Sequence, residues 1–340
     1  MLDYADRNEM VIMPFKLFRR KDEEKKEIVR ILYTTDLHGA ELVWRKSISA
    51  AKIYKVDALI VGGDITGKMI IPIVDIGGGT YEYYFMKKVR RIDSSQLDKV
   101  KKEIYSMGYY PRVMTEDEYK EYAENKEKLD ELFLNVMKET LKKWLDFAAE
   151  RLPDNIELIV TLGNDDRLEL DEVIIEHPRV KYSEGHVIKI KDKYEFFGCS
   201  WVNPTPWNSP REEPDEKLYE RLNSYWSNIT DPDRAILEIH APPYQSTIDE
   251  APLLDENFNP VIRSGQIVKI PAGSKAVKRF IEEKQPLIVL SGHIHESPGF
   301  VKIGRTWVIN PGSEYSEGVF KGFLIDLLDT EIKAMKRIEG

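Results

Sequence analysis

A chain of 340 residues, 42% hydrophobic and 32% charged, has the composition of a globular protein and the length of two average domains or one large α/β domain with an insertion. Fifty basic side chains against 59 acidic ones leave a net charge of −9, so no global positive field gathers nucleic acid or an anionic membrane. Any anion must be held locally.

The single cysteine, Cys199, cannot form an internal disulfide. Following the apolar pair Phe196-Phe197, it reads as a buried thiol, and an intracellular, cytoplasmic protein is the default. Only four glutamines accompany a rich supply of Lys and Glu, the bias of heat-adapted proteins, so a thermophilic source is expected. Residues 1–26 read as a flexible charged arm ahead of a single domain over 27–340. Its "MVIMPFKLF" is broken by Pro14 and Lys16, and no run reaches the ~18 apolar residues of a membrane span.

Along the chain, short β-prone runs recur, and each of five is followed by residues that can bind a metal. "IVRILYTT" leads into Asp36-Leu37-His38-Gly39, and "DALIVGG" into Asp64. "IELIVTLG" leads into Asn164-Asp165-Asp166, "AILEI" into His240, and "PLIVLSG" into His293-Ile294-His295. Amphipathic helical patterns such as "ELVWRKSISAAKIY" and "SKAVKRFIEEK" lie between them. In an open α/β sheet ligands bind beyond the carboxyl ends of strands, where residues distant in sequence converge. One strand-end His or Asp is ordinarily a cap or turn residue; five coincident ones are a site. His177 and His186 lack this context and read as structural.

The ordered set D-L-H, G-G-D, G-N-D, H and G-H-I-H resembles the calcineurin-like metallophosphoesterases over residues 36–295, and "INPGS" (309–313) resembles the strand-turn after their last motif. The resemblance implies a two-sheet β-sandwich flanked by helices, its second sheet drawn partly from "FVKIG", "TWVIN", "GVFKGFLIDLL" and "EIKAMKRI". It also implies two divalent transition-metal ions. One would be held by Asp36, His38, Asp64 and His295, the other by Asp64, Asn164, His240 and His293, with Asp64 bridging. Carboxylate, amide and imidazole ligands without thiolate suit Mn²⁺ first, then Fe, Co or Zn²⁺. Four positive charges less two carboxylates leave about +2, enough to hold a phosphoryl group and to bring the pKa of a coordinated water towards ~7. Asn164 and His240 are thereby catalytic candidates.

Asp165 is the third, and it marks a departure. Many members have histidine directly after this asparagine, contacting the phosphate and protonating the leaving oxygen. An ionised Asp165 would reduce the site to about +1 and penalise a dianionic monoester more than a diester. Alternatively Asp165 turns away and caps the turn with Asp166.

The string Asp75-Ile76-Gly77-Gly78-Gly79-Thr80 also occurs in a phosphate-binding turn of actin and the sugar kinases. An actin-like ATPase needs a second phosphate turn and an adenosine-side glycine motif, and neither is present. Residues 68–92 are therefore expected to form a β-hairpin, with "KMIIPIVDI" and "TYEYYFMKKVRRI" as its arms. A helix over "SSQLDKVKKEIYSM" follows, then a long helical segment from the capping box Thr115–Glu118, its apolar side Leu129, Leu132, Val136, Leu141, Trp144 and Leu145. Residues 68–150 thus read as an insertion forming a cap. "SWVNPTPWNSPREE" offers Trp201, Asn203, Trp207 and Arg211 as substrate-binding candidates, set against a packed connecting loop. Its Asn-Pro-Thr-Pro-Trp resembles a prokaryotic branch of the family related to small phosphodiesterases.

The reading is a binuclear phosphoesterase acting on diesters ahead of monoesters. A nuclease, relying on the basic run Met86–Arg91, and a silent protein-binding scaffold are the rivals. The sequence says nothing of oligomeric state.

Overall fold

Residues 27–340 are described by a computed structural model; the arm expected over 1–26 lies outside the described residues. The chain begins with β1 (Val29–Thr34), α1 (Glu41–Ile53) and β2 (Ala58–Val61). It then builds β3 (Ile70–Asp75), β4 (Thr80–Phe85), β5 (Lys88–Asp93), α2 (Leu97–Ser106), β6 (Tyr110–Thr115), α3 (Glu116–Glu124) and α4 (Lys126–Arg151). Next come β7 (Glu157–Val160), α5 (Asp171–Ile175), β8 (Val180–Lys181), β9 (Ile188–Ile190), β10 (Tyr194–Cys199), α6 (Asp215–Trp226) and β11 (Ala235–Ile239). An excursion carries β12 (Glu250–Pro252), β13 (Ile262–Arg263), β14 (Gln266–Ile267) and β15 (Lys269–Pro271). The chain ends in α7 (Lys275–Lys284), β16 (Ile288–Leu290), β17 (Gly299–Ile303), β18 (Thr306–Asn310), β19 (Lys321–Leu328) and β20 (Glu331–Glu339).

Two six-stranded sheets form the body, in the orders β20-β19-β1-β2-β7-β8 and β17-β18-β16-β11-β10-β9. Each has four consecutive parallel strands and two antiparallel ones, both on one flank in the first sheet and one on each flank in the second. Alternation along β1 shows why they stack. Val29, Ile31 and Tyr33 point between the sheets, meeting Phe196, Ile236, Ile288, Leu290 and Ile309 of the second, while Leu32 points outward to α1 and α4. Trp44 of α1 stacks on Trp144 of α4 at 5.4 Å between ring centroids, and its indole N–H donates to the Trp144 carbonyl. The second sheet's outer face is covered by Leu218, Leu222, Val277, Phe280 and Ile281 of α6 and α7. Cys199 is a buried free thiol in this layer.

The segment between β2 and β7 is richer than the expected hairpin. Its second arm breaks in two at Met86-Lys87, where both residues are left-handed (φ 53° and 60°), the two-residue turn that suits hairpin twist. With β6 pairing parallel to β3, the result is a four-stranded sheet, β5-β4-β3-β6. Ile71, Ile73, Tyr83, Phe85, Ile92, Val100 and Ile104 give it a core of its own, roofed by α2. The Thr115–Glu118 capping box forms, but Asn125 ends that helix and caps α4 through its side chain, so the long segment is two helices. Leu129 is exposed, Leu132 and Val136 half-buried, and Leu141, Trp144 and Leu145 buried.

Gly77, Gly78 and Gly79 all have positive φ and form the β3–β4 tip. A Cβ at Gly77 or Gly78 would meet nothing within 4 Å, so the tip faces open space rather than a cradle. Among the described residues no helix is long and apolar enough to cross a membrane. Replacing Gly77-Gly78-Gly79 by the two-residue turn Asn-Gly is expected to leave the melting temperature and metal content unchanged. Neither this variant nor the parent should be stabilised by ATP in a thermal-shift assay; an ATP-dependent shift lost in the variant would restore a phosphate loop.

Candidate metal centre

Strands β1, β2 and β7 of one sheet and β11 and β16 of the other deliver the five motifs to one edge. Asp36, His38 and His295 place ligand atoms within 4.8 Å of one another, as do Asp64, His240 and His293. Asp165 forms a third such group with His38 and Asp64. His38 Nε2 is 3.0 Å from His295 Nε2, His240 Nε2 is 3.3 Å from Asp64 Oδ2, and His295 Nε2 is 3.4 Å from Asp36 Oδ1.

Backbone geometry holds these side chains. Asp36, His38, Asp64 and His293 are all left-handed, with φ between 43° and 67°, a conformation costing of order 1–3 kcal/mol for a residue with a side chain. Hydrogen bonds from Asp36 N–H to the Gly63 carbonyl (2.9 Å) and from His38 N–H to the Asp64 carbonyl (2.8 Å) lock the first two loops together. Asp36 accepts from His293 N–H at 3.0 Å, tying the last motif to the first. The glycines before Asp64 and Asn164 serve close approach. A Cβ on Gly63 would lie 2.5 Å from both Gly163 Cα and His240 Nδ1, and one on Gly163 would overlap Asp64.

Electrostatics expose what is missing. His38, His240, Asp36 and Asp64 are buried, yet His38 Nδ1, both ring nitrogens of His240 and Asn164 Oδ1 have no hydrogen-bond partner. Buried polar atoms are almost always satisfied, and nitrogen and oxygen atoms turned towards a carboxylate pair are what a cation would satisfy. The residues therefore fit divalent metal ions. Burial works against the charge of His240, but Asp64 and Asp36 outweigh it and raise its pKa to about 10; burial likewise opposes ionisation of Asp36, yet His295 and His240 bring it to about 2. Without metal, then, His240 carries a proton that neutralises the carboxylates.

The two acidic residues after Asn164 divide the alternatives. Asp166 caps: its carboxylate accepts from the N–H groups of Gly163, Ile65 and Thr66 and from the Thr66 hydroxyl. Asp165 faces the site, its Oδ2 lying 3.7 Å from His38 Nδ1 and 3.4 Å from Lys68 Nζ, and it does not turn away. Burial and the Asp64 carboxylate raise its pKa to about 6, against the pull of Lys68.

The Ser200–Glu213 loop corrects part of the sequence reading. Arg211 is a buried tie, donating to the carbonyls of Asp166 and Arg167 and to Ser200 Oγ and pairing with Asp171, so it has no arm free for a ligand. Trp201 packs on the second sheet's outer layer beneath the Arg221 guanidinium, 4.2 Å from its ring. Asn203 donates to the Ala272 carbonyl. Trp207 is 64% exposed beside Phe258, and two residues on, Ser209 accepts from Asn164 Nδ2 at 2.7 Å. His177 meets Asp146 and His186 meets Tyr182, both away from the centre.

Sequence reasoning missed Lys68, Tyr315, Ser313 and Glu238. Tyr315 lies 4.7 Å from the His38 ring and 5.8 Å from that of His295, Ser313 Oγ donates to the Asp36 carbonyl, and Glu238 is buried between the sheets, its pKa raised to about 8 by burial. Ser313 alone had a signal, its place in "INPGS".

No model of a known protein family matches the chain. An uncharacterized protein of Methanocaldococcus jannaschii is 33% identical over 162 residues, which are 47% of this chain and 66%, just under two thirds, of that protein. A crystal structure superposes with a TM-score of 0.55 at 18% identity, over 92% of this chain and 99% of the other. That whole-chain match, on two sheets whose strand ends assemble the five motifs, decides the fold. It is the two-sheet sandwich flanked by helices that the resemblance to the calcineurin-like metallophosphoesterases implies. More distant likenesses are a protein of Thermus thermophilus (TM-score 0.48, 16% identity, 92% of this chain and 99% of that one) and a dimetal phosphatase from Danio rerio (0.44, 9%, 92% and 98%).

Because His240 must lose its proton to become a ligand, metal uptake at pH 7 is expected to release protons and to strengthen as pH rises. Calorimetric titration of chelator-stripped protein in buffers of different ionisation enthalpy would show it. In the stripped protein, the raised His240 pKa gives stability fully present below about pH 6.5 and lost as pH rises through about 10, so the stabilisation gained on loading should widen across that window.

Proposed function

We propose that the chain is a binuclear metal-dependent hydrolase of phosphate esters, acting on diesters ahead of monoesters. The observation that carries this is the set of buried, unpartnered nitrogen and oxygen atoms of His38, Asn164 and His240, which converge on Asp36 and Asp64 from three strand ends. Asp36, His38, Asp64 and His295 would hold one ion and Asp64, Asn164, His240 and His293 the other, with Asp64 shared. Mn²⁺ is the first choice for so mixed a donor set. When bound, the two ions supply the positive charge that holds a phosphoryl group and acidifies a water.

The chain's own residues do the positioning. Asp165 N–H donates to Asp64 Oδ1 at 2.8 Å and Asp166 clamps both flanking loops, so the shared carboxylate and the mouth of the site move as one body. Ser209 and Asp165 accept from Asn164 Nδ2, which turns its amide oxygen inward. Asp165 Oδ2 is the titratable oxygen at the mouth, and nearby cations would draw its pKa down from about 6. It then offers no proton to a leaving oxygen at neutral pH, which favours diesters and good leaving groups. Trp207 and Asn203 are the remaining substrate-side candidates, Trp207 being the exposed one. The nuclease alternative loses ground, because Arg90 and Arg91 of the basic run pair with Glu103 and Glu82. A silent scaffold is disfavoured by the full donor set.

Asp64→Asn is expected to keep the fold by circular dichroism while losing at least one metal per chain by elemental analysis and more than about 100-fold in turnover of bis-p-nitrophenyl phosphate. Two tightly held ions and parental activity in this variant would remove the site. Asp165→His should raise turnover of alkyl phosphate monoesters relative to nitrophenyl esters. A parent that already prefers alkyl monoesters to diesters, with that ratio unmoved by Asp165→His, contradicts the reading of Asp165 as a residue with no proton to give the leaving oxygen.

A further inference from the structure

At the rim of the centre stands a cation that the ligand motifs do not include. Lys68 lies four residues beyond Asp64, on the loop joining β2 to the inserted sheet, and its side chain is 44% exposed. Its ammonium is 3.4 Å from Asp165 Oδ2 and 5.8 Å from the centroid of the Tyr315 ring, which itself rests against His38 and His295. Asp165 on one side and Tyr315 on the other hold the ammonium above the first ligand group. The loop is anchored through the three residues just before Lys68, by the Asp166 carboxylate at Ile65 and Thr66 and by Tyr110 Oη, which accepts from Gly67 N–H at 2.7 Å. Partial burial works against its charge, but Asp165 more than restores it.

Resting on the phosphoesterase reading above, we infer that Lys68 is a substrate-binding residue, donating to a non-bridging phosphoryl oxygen at the mouth of the site. An ammonium has three N–H donors, and the Asp165 carboxylate uses one, leaving the others free. Charge points the same way. Two divalent ions less Asp36, Asp64 and Asp165 leave +1, and Lys68 returns the site to about +2. The acidic residue at 165 therefore does not weaken anion binding; it orients the cation that performs it. An anion held between the metal ions and Lys68 gains one charge-assisted hydrogen bond, worth ~1.5–3 kcal/mol, or about 10–100-fold in affinity.

The test compares the Mn²⁺-loaded parent with Lys68→Met and Lys68→Arg. Elemental analysis gives metal per chain, calorimetry gives the affinity for inorganic phosphate, and kcat and KM are measured on bis-p-nitrophenyl phosphate. Expected for Lys68→Met are unchanged metal content, phosphate affinity about 10–100-fold weaker and KM raised more than kcat is lowered; Lys68→Arg should recover at least half of the loss on a logarithmic scale. Parental phosphate affinity in Lys68→Met would overturn the inference while leaving the phosphoesterase reading intact. Metal lost together with phosphate in Lys68→Met, or equal losses in both variants, would also overturn it, since the side chain would then support the fold of the site. A parent that holds no metal and hydrolyses no ester would overturn both readings.

Discussion

Everything in this molecule turns on where the Asp64 carboxylate lies: buried, at the carboxyl edge, with His240 of the opposite sheet 3.3 Å away. A charge taken out of water must be compensated, and among the described residues the compensation within reach comes from groups on the other sheet and on neighbouring strand ends. The sandwich's packing and its chemistry are for this reason one problem. Gly63 and Gly163 let two strand ends touch backbone to backbone, and the touching is what places Asp64 beside both His38 and His240. Left-handed backbone at four candidate ligands is sustained because each loop is hydrogen-bonded to its neighbour.

Asp166 shows how differently two adjacent acids can be placed. It is adjacent to Asp165 and the same chemical type, yet four donors consume its carboxylate, whereas Asp165 has an amide, an imidazole and an ammonium about it and remains open to the mouth. One side chain fixes the loop so that the other can face a ligand.

The strand ends were legible because short apolar runs stop at polar residues, and the stopping point is the site. The capping box at Thr115 was legible for the same local reason. What escaped depended on tertiary surroundings. Met86-Lys87 makes a tight turn without the Gly or Asn that normally announces one, so β4 and β5 merged into a single arm. Asn125 looks like any polar residue in a helix until its side chain is seen to cap the next one. Arg211 has the chemistry of a phosphate binder, and only its burial among carbonyls shows otherwise. Lys68 had no periodicity or partner in sequence, because Asp165 and Tyr315 reach it from 97 and 247 positions away.

Strand β1, which ends at the first motif, is an interior strand, paired on one side with β2 and on the other with β19. Its second edge therefore has no partner until residues 321–328 have been synthesised, long after its own. While everything between β1 and β19 is being translated, the nascent chain carries an open apolar strand edge, the kind of surface that invites pairing with another chain. Shielding that edge until β19 arrives falls to whatever holds the growing chain, so closure of this sheet depends on a strand made long after the one it completes.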